Sequence, residues 1–124
     1  SLCYSISTVI HGAKGLMTLS AGIDAKDLDR VQDEIRAQLS ACCRGGISEA
    51  ELEGAKQGIR ASLMTVGDSP SQMEDYALYR ILSGQDMDVK AYMDAVSQVT
   101  VEDAARAAQK IRLEAVYFLR GQEP

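Results

Sequence analysis

The pattern of apolar and polar positions changes period once near each end of the chain. Residues 3–11, Cys-Tyr-Ser-Ile-Ser-Thr-Val-Ile-His, alternate and are rich in β-branched and aromatic types, which predicts a strand. Gly12-Ala13-Lys14-Gly15 is a turn signal, and residues 16–23 predict a second strand, so a tight antiparallel hairpin is expected. From Asp24 to about Ile111 the period becomes helical. Leu28, Val31, Ile35, Leu39 and Cys42 form the first stripe, with Asp24 as its expected cap and Gly45-Gly46 as its stop. Ser48-Glu49-Ala50-Glu51 is a capping box opening a second helix with stripe Leu52, Ala55, Ile59, Leu63 and Val66. Ser69-Pro70 opens a third, in which Met73, Ala77, Ile81 and Leu82 are expected to face inward, with Gly84 as its end. Asp88 caps a short fourth helix carrying Val89, Met93 and Val96. Thr100-Val101-Glu102-Asp103 opens a fifth, Ala-rich helix, and residues 114–119 predict a closing strand.

The expected order is β-β-α-α-α-α-α-β, an α+β fold with helices packed on one face of an antiparallel sheet. The 124 residues form one domain or part of one, without internal repeat or low-complexity linker. Apolar residues make up 46% and charged residues 25%, as in soluble globular proteins. Aromatics are few, so the core must be built from aliphatic side chains. A net charge of −5 with no basic run argues against nucleic acid, and no apolar run approaches a membrane span. Three cysteines, Cys3, Cys42 and Cys43, with two adjacent, do not form a disulfide framework and suggest a reducing, cytoplasmic compartment.

With His11 as the single histidine, there is no H-x-x-E-H or H-E-x-x-H zinc pair, and a Cys42/Cys43 site lacks further ligands. Gly12-Ala13-Lys14-Gly15 is too short for a phosphate loop. The carboxylates of Asp24, Asp27, Glu49, Glu51, Glu102 and Asp103 suit helix amino ends rather than acid–base catalysis. Tyr76 and Tyr79 read as partly buried contacts, and Tyr92 and Tyr117 as core or core-edge residues. Tyr4, near the start of the first strand, reads as structural from its position alone.

Five segments in order nevertheless resemble one family. Ser1–Ser7 is similar to the "L-x-Y-S" start of a strand in insulinase/pitrilysin-type, mitochondrial-processing-peptidase-like zinc peptidases. Lys14-Gly15-Leu16-Met17 with Ser20-Ala21-Gly22-Ile23-Asp24 resembles the next strand and its "G-x-D" exit. Ile47–Lys56 resembles "(I/V)-(S/T)-x-x-E-L-x-x-A-K", Asp68–Ser71 the turn before the third helix, and Val99–Asp103 the "V-T-x-x-D" helix start. The ending Val116–Gly121 is most similar to a bacterial branch whose members occur in pairs, one zinc-bearing and one not. The resemblance implies a partial LuxS/mitochondrial-processing-peptidase-like metallohydrolase fold, and residues 1–124 as the carboxy-terminal part of a larger chain. It implies zinc held in an amino-terminal domain of the parent or in a partner subunit, with no cofactor here, and a clamshell of two halves closing on a peptide. The expected partners are the rest of the parent chain, a homologous subunit or second copy, and a peptide substrate. It implies a substrate-binding role for Tyr4, whose phenol would donate to a developing oxyanion, while the matching Arg would lie before Ser1. Two other readings are a domain of a non-catalytic partner subunit and an unrelated acidic interaction module.

Overall fold

A computed structural model describes residues 2–121; Ser1, with which the first resembling segment begins, and residues 122–124 lie outside the described residues. Strand β1 (Ser5–His11) pairs antiparallel with β2 (Leu16–Gly22) in unbroken register from Ser5 opposite Gly22 to His11 opposite Leu16. The tip is one 3-10 turn, Gly12–Lys14, closed by Gly15 at φ 59°, a left-handed conformation that favours glycine. Five helices follow: α1 (Leu28–Cys43), α2 (Glu49–Met64), α3 (Pro70–Ser83), α4 (Val89–Ser97) and α5 (Val101–Ala108).

The helix ends are set locally. In both capping boxes the side-chain oxygen accepts from the third helical amide while that residue's carboxylate accepts from the cap amide. The two distances are 3.2 and 2.8 Å for Ser48 and Glu51, and 3.2 and 2.9 Å for Thr100 and Asp103. Ser69, with Pro70 at the first helical position, accepts from Gln72 N, and Asp88 accepts from Ala91 N. At the end of α1, Gly45 N donates to the Cys42 carbonyl and Gly46 N to the Ala41 carbonyl, with Gly45 at φ 74°. This is a Schellman close, and a Cβ on Gly46 would sit 2.9 Å from the Ala41 oxygen.

The helices pack as two pairs, α1 with α5 and α2 with α4. Val31, Ala105 and Ala108 are buried in the first pair, and Leu52 and Leu63 on α2 in the second. Each pair is also tied through a carbonyl at a helix end: Gln109 Nε2 donates to Cys43 O at 2.9 Å, and Lys56 Nζ to Ser97 O at 3.2 Å. Helix α3 packs on the turn before it and on the hairpin tip, where the Tyr79 ring lies 3.6 Å from the position of a Gly12 Cβ.

Three expectations are corrected. Residues 114–119 form no strand among the described residues; a strand exists only through a partner's ladder, and none is presented to this segment. The helices do not cover a sheet face, since every residue of β1 is exposed. The set Met73, Ala77, Ile81 and Leu82 does not face inward: Met73, Ile81 and Leu82 are 55%, 77% and 60% exposed, because nothing packs over that side of α3. The accessible surface is accordingly 9,696 Å². A compact monomer of this mass exposes about 6,500 Å².

Gly45→Ala places an L-residue in the left-handed region and should destabilise by about 1 kcal/mol. Gly54→Ala, inside α2 with open space at its Cβ, should instead stabilise by up to about 1 kcal/mol. Denaturant titration of both variants reads the contrast, and a loss at both sites would contradict these environments. The capping hydrogen bonds hold the Glu51 and Asp103 carboxyls below the ordinary carboxylate range. A depressed carboxyl contributes stability above its ordinary titration range, and that contribution disappears as pH falls through the folded value. The melting temperature of Glu51→Gln/Asp103→Asn should therefore fall less than that of the parent chain between neutral pH and about pH 3. Parallel pH profiles would show that the two caps carry no such linkage.

Candidate functional site at the hairpin mouth

The hairpin register places Tyr4 just before β1, and its amide donates to the Gly22 carbonyl at 2.7 Å. This anchors the backbone, while the side chain stays 77% exposed. The phenol donates to Asp24 Oδ1 at 2.6 Å. That bond, more than the nearby negative charges of Asp24 and Asp27, raises the phenol above its ordinary value near 10, so it stays protonated and remains a donor at neutral pH.

Asp24 was expected to cap the first helix. It sits at the cap position of the 3-10 turn Ala25–Asp27 but makes no side-chain capping bond; its carboxylate faces Tyr4 on one side and Lys26 Nζ, 3.7 Å away, on the other. Helix α1 starts at Leu28 with Asp27 at its cap position, also without a side-chain capping bond. A phenol is a stronger local attraction here than a free helix amide, because the donor is already held beside the carboxylate by the Tyr4–Gly22 backbone bond. Counting pairs back from the hairpin tip puts Tyr4 opposite Ile23, next to Asp24, so the pair was readable from the register once the tip was fixed.

A second feature is an open apolar groove between α2, α3 and α4, about 480 Å³, lined among others by Ala55, Ile59, Leu63, Tyr76, Tyr79 and Tyr92. Tyr76 donates to the Met87 carbonyl at 3.2 Å, which ties α3 to the loop before α4. Burial raises the Tyr76 and Tyr92 phenols, and for Tyr92 a hydrogen bond to Tyr79 adds to the effect. These groups are protonated hydroxyls on apolar walls with no acid–base pair among them. Tyr117, expected at the core or its edge, is 85% exposed, on the segment that lacks a ladder.

The donor set does not fit zinc. His11 is exposed at the hairpin tip, with Nε2 3.4 Å from Thr18 Oγ1, and no group of three or more His, Cys, Asp or Glu among the described residues is placed to hold a metal ion. Cys42 and Cys43, at the end of α1, carry free thiols. Among the described residues no helix is long and apolar enough to cross a membrane.

Comparison with known proteins finds relatives among peptidase-like proteins. Residues 1–59 match the family model described as "Peptidase M16 inactive domain". The probable inactive metalloprotease YmfF of Bacillus subtilis (strain 168) is 27% identical over 123 residues, which cover 99% of this chain and 29% of that protein. The crystal structure of a conserved protein from Enterococcus faecalis V583 superposes with a TM-score of 0.77 at 25% identity, over 87% of this chain and 26% of that one. The chain thus spans less than a third of the length of these bacterial relatives. Over residues 1–59 the chain thus matches a peptidase M16 inactive domain, and over nearly its whole length it is similar, as a distant homologue, to a probable inactive metalloprotease.

Proposed function

We propose that residues 1–124 act as a non-zinc-binding, carboxy-terminal domain of a longer peptidase-like chain, forming part of the wall of a clamshell chamber that encloses an unfolded peptide. The observation that carries this reading is the uncovered surface. The 9,696 Å² exposed exceeds the expectation for a compact monomer by about 3,000 Å², an amount typical of permanent interfaces. Much of it is apolar: Ile6, Ile10, Ile81 and Leu82 are 59–77% exposed. The two strands contain no Asp, Glu, Lys, Arg or Pro and no bulge, the devices that guard sheet edges left in water. Further strands and helices of the parent chain, in the partial metallohydrolase fold the motifs resemble, would cover these surfaces. In this reading zinc is held by another domain or by a sister subunit, and Tyr4 faces the enclosed peptide.

A second reading is favoured by one of the relatives. YmfF is described as a probable inactive metalloprotease, which supports a non-catalytic subunit that pairs with a zinc-bearing sister and helps enclose its substrate. The domain has the same task in both readings; they differ in where the zinc resides.

Hydrogen exchange compares the 124-residue chain with the longer protein that contains it. The amides of β1 that point away from β2 should exchange rapidly in the short chain and become protected by at least about tenfold in the long one. Equal rates in both would remove the basis for a covering domain. Equilibrium dialysis against equimolar zinc should leave the 124-residue chain with far less than one zinc; stoichiometric retention would overturn its assignment as a non-zinc domain.

A further inference from the structure

We propose that Asp24 is a positioning residue that competes with bound peptide for the phenolic proton of Tyr4. The inference rests on the reading of Tyr4 as a peptide-facing residue and adds what that reading leaves open: what the phenol does when no peptide is bound. A phenol has one proton to donate. In this structure it is given to Asp24 Oδ1 at 2.6 Å, a charge-assisted bond stronger than one to a neutral carbonyl. A peptide carbonyl can receive that proton only after the bond to Asp24 is broken.

Two further observations separate this arrangement from an incidental surface contact. Asp24 stands at the cap position of a 3-10 turn yet its carboxylate makes no capping bond, so its hydrogen-bonding capacity is directed to Tyr4. The Tyr4 backbone is fixed by its 2.7 Å bond to Gly22, so release of the phenol requires rotation of the side chain alone, and the 77% exposure of Tyr4 leaves room for it. Among the described residues, the charged groups recorded near the pair are Lys26, 3.7 Å from Asp24 Oδ2, and Asp27, whose negative charge acts on the phenol. The ligand class that fits is an extended peptide presenting a backbone carbonyl, a neutral acceptor that loses to a carboxylate in direct competition.

The test uses the full-length protein and a fluorescein-labelled, unstructured ten-residue Gly/Ala/Leu peptide, with binding read by anisotropy. Asp24→Ala should bind about fivefold tighter than the parent, Asp24→Asn should fall between them because its amide oxygen is a weaker acceptor, and Tyr4→Phe/Asp24→Ala should lose the gain. A purely structural role for Asp24 would change binding equally with Phe at position 4, so the double variant separates the two. Equal affinities for parent and Asp24→Ala, or a gain that survives in the double variant, would overturn the competition while leaving the chamber intact. No binding by any variant, each with an unchanged circular dichroism spectrum, would overturn the peptide-facing reading and this inference with it.

Discussion

A hairpin of uncharged residues held open on both faces is the constraint on which the rest of this domain depends. Its two strands satisfy each other along one edge each and present the other edges, with their unpaired amides and carbonyls, to whatever lies beside them. Two-stranded ribbons are marginal in water without a layer packed against them. Here the main contact that the described helices supply is at the tip, where Tyr79 lies over Gly12. Position on this hairpin also decides the candidate site: the register that ends at Ser5 and Gly22 brings Tyr4 beside Asp24 at the mouth, at the opposite end from the tip that holds α3.

The helical part follows a different logic. Four of the five helices, α2 to α5, open on a side-chain cap, α1 closes on Gly45-Gly46, and two long-range bonds to end carbonyls, Gln109 to Cys43 and Lys56 to Ser97, align the pairs. Among the described residues only Val31, Leu52, Leu63, Ala105 and Ala108 are buried, two of them alanines. Alanine at a contact lets helix axes approach closely but removes little apolar area from water, so these pairings are specific rather than strong. Local capping therefore carries an unusual share of the definition of this fold.

That division explains what the sequence made legible. The hairpin, both capping boxes, the Ser69-Pro70 start and the Gly45-Gly46 stop were readable because the groups that satisfy them are close in sequence. The inward stripe of α3 and the closing strand at 114–119 were read from periodicity, which reports that a surface is meant to be covered and not what covers it. Met73, Ile81 and Leu82 keep a buried residue's chemistry in an exposed place, and Val116, Tyr117 and Leu119 keep a strand's chemistry without a ladder. At the candidate site, Tyr4 was singled out through motif resemblance. Its partner was not, because Asp24 also satisfied the simpler expectation of a helix cap, and only the register shows that the phenol reaches it first.

On the proposed reading, the Tyr4–Asp24 pair also bears on how a domain of a peptidase-like chain that holds no zinc itself would keep a use for its phenol. In a catalytic clamshell a tyrosine near the reacting carbonyl is valuable when its proton is offered to charge that develops in the transition state. Where no such charge develops, a free phenol would bind peptide carbonyls indiscriminately and hold the ground state. A neighbouring carboxylate reverses that preference: it raises the phenol's proton affinity and makes release conditional on an acceptor that competes with a full negative charge. A neutral carbonyl competes poorly and a developing oxyanion competes well. In the proposed reading, one acidic residue at the hairpin exit would let the same tyrosine stay silent in a non-catalytic wall and respond in a chamber where zinc is supplied from another domain or subunit.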